Sequence, residues 1–103
     1  MNHEDASRIL AECRRRIDGI DSDLRRLLNE RATVVEEVLR MKDVLSLPIQ
    51  EPKREDEVFR NVTAGNTGPL TDEAMKRIFE RVMEEMRGME RAMRESKQAG
   101  KQA

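Results

Sequence analysis

From about Ser7 to Leu47 the chain contains no proline and a single glycine, Gly19. Apolar residues recur at Leu10, Cys13, Ile17, Ile20, Leu24 and Leu27, then at Val34, Val38, Met41 and Leu45. The steps alternate between three and four, which lines them up as one seam of an α-helix of the coiled-coil kind. A helix of about 40 residues is about 60 Å long at ~1.5 Å per residue. A chain of 103 residues is too short to wrap that seam, so the seam is expected to meet another chain.

The rest of the composition points the same way. Charged residues make up 40% of the chain and aromatic ones 2%, which argues against a broad, thick core. Leucine, valine, isoleucine and seven methionines at helical spacing suit helix-on-helix packing in a single domain. The net charge is -1 with both signs interspersed, so no global field draws the chain to nucleic acid or to a membrane. Cys13 is the only cysteine and His3 the only histidine, which excludes an intramolecular disulfide and a Cys/His zinc site. Cys13 lies on the seam and reads as a small buried hydrophobe. The start, MNHEDASR, has no apolar leader segment, and no apolar run approaches membrane-spanning length. A cytoplasmic location is the resulting expectation. Asn61-Val62-Thr63 matches a glycosylation sequon, which has no bearing without secretion.

Residues 1–6 are polar and are expected to form a flexible N-terminus, with Asp5 or Ser7 capping the first helix. Pro48 disfavours helix in the residue before it, so the helix should end there. Pro52 suits the first position of a second helix, with Glu51 placed to cap it and Val58, Phe59 and Val62 as its apolar face. Gly65-Asn66-Thr67-Gly68-Pro69 is the clearest turn. Thr71 caps a third helix, with Asp72 and Glu73 at its positive end. Its buried stripe is Met75, Ile78, Phe79, Val82, Met83, Met86, Met89 and Met93. Residues 7–95 thus form one all-α domain of three helices, and residues 96–103, SKQAGKQA, are expected to be a disordered polar tail.

A solvated helix face explains most of the charges, and four sets have a second reading beside it. Arg31 occupies the seam position between Leu27 and Val34. There a cation either sets register or reaches a ligand. Lys42 follows eleven residues later, and eleven steps of ~100° return almost to the same face, with about 16 Å between the two backbones. Arg14 lies ~25 Å from Arg31 along the helix and on another face, so it cannot serve the same small ligand within one straight helix. An antiparallel partner helix would bring a second Arg14 back to Arg31. Glu51, Arg54 and Glu55 gather at the start of the second helix, either as cap and surface pair or as polar contacts to a ligand. Glu90 lies four residues after Met86 and three before Met93, on or beside the apolar stripe, where a carboxylate is costly to desolvate.

Taken in order, these residues resemble the all-helical chorismate mutase family. The resemblance rests on Arg14-Arg15-Arg16-Ile17-Asp18-Gly19-Ile20-Asp21, on Leu27-Leu28-Asn29-Glu30-Arg31, on Lys42, and on the run from Pro48 to Glu55. It covers roughly residues 7–95, with Arg77-Ile78-Phe79 a weaker anchor in the third helix. It implies three helices per subunit, with the long first helices crossing in an intertwined homodimer. It also implies conversion of chorismate to prephenate on the route to aromatic amino acids, an isomerisation within one molecule that needs no metal or cofactor. By position it gives Arg31 and Arg14 of the partner subunit to the two substrate carboxylates. Lys42 goes to a carboxylate and the ether oxygen, and Glu55 to the ring hydroxyl with help from Glu51. Arg54 contributes positive field and orders the start of the second helix. Met86 lines the pocket where some members carry a small polar residue. Glu51 stands where aspartate is common, and Glu90 where many members have a glutamine that donates to the ether oxygen. Glu90 can donate there only when protonated.

Two other readings share parts of this pattern. An enzyme of the same fold that eliminates pyruvate from isochorismate would use the same cations. A non-catalytic helical dimerisation or ligand-sensing module would explain the seam, but not the joint placement of Arg14, Arg31, Lys42 and Glu55.

Overall fold

The computed structural model describes residues 1–102, and the secondary structure among them is helical: α1 (His3–Leu45), α2 (Pro52–Ala64) and α3 (Asp72–Gln102). The chain divides into two units, Met1–Val34 and Val35–Ala103.

The first unit is helix almost from its first residue. The expected loose segment over residues 1–6 is instead the opening turn. Asn2, rather than Asp5 or Ser7, is the cap: its Oδ1 accepts a 2.8 Å hydrogen bond from the Asp5 amide, and its carbonyl accepts one of 3.1 Å from the Ala6 amide. An asparagine ahead of two acidic residues satisfies the free amides of a helix start as well as serine or aspartate does. The seam of this unit is uncovered within the chain. Leu10, Ile17, Ile20, Leu24 and Leu27 remain about half exposed, and Cys13 is exposed as well.

The second unit holds the core. Leu39 comes from α1, Val58 from α2, and Met83 and Met86 from α3, and all four are buried. Each is worth about 1.5–3 kcal/mol of burial. Ile78, expected in the stripe, is exposed, because the buried face of α3 turns toward Met83, Met86 and Glu90 instead. The α3 cap is as expected, with Thr71 Oγ1 accepting from the Ala74 amide at 3.1 Å. Glu51 does occupy the N-cap position of α2, but its side chain makes no capping bond. The expected disordered tail instead continues α3 to Gln102, and Ala103 lies outside the described residues.

The end of α1 is closed by backbone hydrogen bonds. The Leu47 amide donates to the Lys42 carbonyl at 2.8 Å and the Ser46 amide to the Asp43 carbonyl at 3.3 Å. These are the two bonds of a Schellman cap. Its left-handed position is taken by Ser46, at φ 56, where glycine is the usual residue. Ser46→Gly should therefore stabilise the fold by about 1 kcal/mol, and Ser46→Val should destabilise it. Urea unfolding midpoints test this, and a lower midpoint for Ser46→Gly would contradict the cap as described.

Candidate active site

The cap just described sends the connector back across the last turn of α1. The Ile49 carbonyl then lies 2.6 Å from Lys42 Nζ and accepts a hydrogen bond from it. Lys42 also donates to Glu90 Oε2, at 3.1 Å. Both residues are buried, Lys42 with 9% and Glu90 with 4% of its surface exposed. Burial is what makes the pair informative. A buried charge without a partner costs several kcal/mol, so the ammonium and carboxylate require each other. Glu90 thus lies on the buried stripe of α3, as its spacing from Met86 and Met93 leads one to expect. An ammonium has three donors. Ile49 and Glu90 take two, which leaves one N–H to present to a ligand oxygen.

Around this pair the second unit gathers further charge. Glu55, in the first turn of α2, accepts a 2.7 Å hydrogen bond from Arg87 of α3, and both side chains are about four-fifths buried. Arg94, one turn after Glu90, donates through Nε and Nη2 to Asp43 Oδ1 at 3.1 and 2.7 Å, and reaches the Leu47 carbonyl at 3.4 Å. That clamp ties α3 to the last turn of α1 and to the connector. No buried side-chain polar atom among the described residues lacks a partner.

The remaining expected residues are placed as follows. Met86 is buried one turn before Glu90. Glu51 is half-buried at the N-cap of α2. Arg54 is exposed and pairs with Glu57 at 3.0 Å on its own helix. In the first unit Arg31 is half-buried and Arg14 is exposed, both on α1. An open cleft of about 590 Å³ borders Lys42, with Ser46, Pro48, Arg94 and Lys97 on its walls. Of the expected site residues only Lys42 lines it. Its cations Arg94 and Lys97 both lie on Asp43, whereas Lys42 points its ammonium at Glu90. Among the described residues no group of histidine, cysteine and acidic side chains is arranged to hold a metal ion, and no helix is long and apolar enough to cross a membrane.

Sequence reasoning missed Arg87, Asp43 and Arg94. A signal was present: Met83, Arg87, Glu90 and Arg94 follow one another at four, three and four residues, so the charges share one helical face with the buried methionine. Charges on a core face ask for partners.

Comparison with known proteins decides what this arrangement belongs to. The family model described as chorismate mutase type II matches residues 13–91. The chain is a member of that family. A bifunctional chorismate mutase/prephenate dehydratase of Neisseria gonorrhoeae is 38% identical over 85 residues, which are 82% of this chain and 23% of that protein. The namesake from Aquifex aeolicus is 33% identical over 89 residues, 82% of this chain and 25% of that one. The chain thus spans about a quarter of the length of these curated relatives. The chorismate mutase of Thermus thermophilus, in its form II structure, superimposes with a TM-score of 0.77 at 36% identity, covering 82% of this chain and 94% of that one. The three-helix architecture of this chorismate mutase family member therefore agrees with a solved relative over nearly all of that relative's length.

The buried pair makes a stability prediction. Lys42→Met alone leaves Glu90 buried without its cation and should cost about 3–5 kcal/mol, whereas Lys42→Met with Glu90→Leu should recover most of that loss. Denaturant unfolding of the two variants measures it. A double variant no more stable than the single one would show that the two charges do not depend on each other.

Proposed function

We propose that this protein is a chorismate mutase: it rearranges chorismate to prephenate within one molecule, breaking the ether C–O bond as a C–C bond forms. The observation that supports this most is the buried Lys42–Glu90 pair, whose ammonium keeps one N–H for an anionic oxygen. The reaction requires no nucleophile. It requires the dianion to be held folded, with its enolpyruvyl group over the ring, and it requires fixed donors where charge grows on the ether oxygen. Lys42 is a donor of that kind, already desolvated and fixed in orientation by the Ile49 carbonyl.

The other roles follow the family pattern. Arg31 and Arg14 of the partner subunit bind the two carboxylates, in a homodimer whose sites are shared between chains. Glu55, with Glu51, accepts from the ring hydroxyl, Arg54 adds positive field, and Met86 lines the pocket. The half-exposed seam over residues 10–27 supports the dimer, since isolated helices gain most of their stability from packing an apolar face. The setting is the cytoplasm. Glu90 stands beside the ether oxygen, where its pairing with Lys42 offsets its charge and fixes the direction of the ammonium.

Incubation with chorismate and identification of the product is the primary test. Prephenate is expected. Turnover of isochorismate with release of pyruvate, and none of chorismate, would replace this reading with the elimination reaction.

Two finer predictions follow from the shared site and from Glu90. Arg14→Ala and Arg31→Ala should each fold yet be nearly inactive. Refolded together they should recover activity, because a mixed dimer holds one site with both arginines intact. A mixture no more active than its parents would remove the cross-chain assignment. Glu90→Gln, which puts a permanent amide donor in place of the carboxylate and leaves Lys42 charged, should raise kcat/KM for chorismate above that of the wild type. A Glu90→Gln protein no faster than the wild type would take Glu90 away from the ether oxygen.

A further inference from the structure

The carboxylate assigned to the ring hydroxyl already has a cationic partner. Arg87 Nη1 donates to Glu55 Oε2 at 2.7 Å, across from α3 to α2. Both side chains are 21% exposed, so the bond is shielded from solvent more than the surface pairs of these helices. Arg54–Glu57 and Arg81–Glu85, for example, keep at least half of each side chain in water. Arg87 follows the buried Met86 and sits one turn before Glu90, so the guanidinium is held at the edge of the site by the same stretch of α3 that supplies Glu90.

Two consequences follow from this geometry. An unpaired Glu55 would set a negative charge against a substrate that is itself a dianion, and Arg87 cancels that charge. A carboxylate also has room for about four hydrogen bonds over its two oxygens. The bond to Arg87 occupies Oε2 and fixes the plane of the group, so that Oε1 is the oxygen offered to a ligand.

We propose that Arg87 is a positioning residue of this enzyme: by holding Glu55 through Oε2 it aims Oε1 at the substrate's ring hydroxyl, and so makes the site selective for substrates that carry that hydroxyl. The proposal rests on the chorismate mutase reading. It assigns Arg87 no contact with the reacting atoms.

The test compares chorismate with an analogue that has hydrogen in place of the ring hydroxyl. The wild type, Arg87→Met, Arg87→Lys, Glu55→Gln and the double variant Arg87→Met/Glu55→Gln are assayed on both, with thermal unfolding of each variant. Arg87→Met should lower kcat/KM for chorismate by about tenfold to a hundredfold, the effect of one hydrogen bond to a charged group. The same variant should lose at least several-fold less on the analogue, which meets the unmasked Glu55 charge but has no hydroxyl for Oε1 to hold. Arg87→Lys should recover part of the loss. On the Glu55→Gln background Arg87→Met should cost nothing more. Equal losses on the two substrates, or losses that multiply in the double variant, would overturn the positioning role and leave the chorismate mutase reading intact. Absence of chorismate turnover in the wild type would overturn that reading and this role together. If Arg87→Met does not fold, Arg87→Gln, which keeps a shorter donor without the charge, should show a smaller loss that is again greater on chorismate than on the analogue.

Discussion

A buried ammonium group has to be answered, and in this protein Lys42 is answered from two sides. The connector supplies the Ile49 carbonyl at 2.6 Å and α3 supplies the Glu90 carboxylate at 3.1 Å. The second unit is organised around that requirement. The Schellman cap at Ser46 turns the chain so that Ile49 can reach Lys42. Arg94 holds the connector and the last turn of α1 against α3 through the Leu47 carbonyl and Asp43. The methionines beside Glu90 keep the pair dry. An ion pair desolvated in this way contributes little net stability, because what its charges gain from each other is offset by the cost of leaving water. Its retention at the centre of the unit is better explained by what the ammonium can do for an anion.

Much of the fold was legible in the sequence because it is encoded locally. The three-and-four spacing along α1, Pro48 after it, Pro52 opening α2 and Thr71 capping α3 each act through neighbours only a few residues away. The errors arose where local signals competed. Asn2 preceded the residues expected to cap α1 and satisfied the same amides. Ile78 carries the apolar chemistry of the stripe, but the face of α3 is set by where Glu90 and Met86 must go.

The candidate site was legible to a different degree. Glu90 stood out as a charge on or beside an apolar stripe and Lys42 only as a cation on nearly the same face as Arg31, and the structure joins Lys42 and Glu90 directly. Their partnership was not readable, since it spans 48 residues and depends on how the connector turns. The same holds for Glu55 with Arg87 and for Asp43 with Arg94, at separations of 32 and 51 residues. A sequence shows that a charge on a core face needs a partner, and only the tertiary structure shows which one it has. What those partners add here is charge balance: Glu90, Glu55 and Asp43 are each paired with a cation.

The central claim is that the positive charge of Lys42, rather than its hydrogen bond to Glu90, serves the reaction. The direct measurement compares Glu90→Gln with the double variant Lys42→Gln/Glu90→Gln, in which two amides can keep the hydrogen bond between α1 and α3 while the cation is gone. Unfolding should show both folded. Glu90→Gln should retain turnover of chorismate, and the double variant should lose about a thousandfold in kcat, the scale of removing a fixed donor from a developing oxyanion. A folded double variant that rearranges chorismate at the rate of Glu90→Gln would contradict the claim.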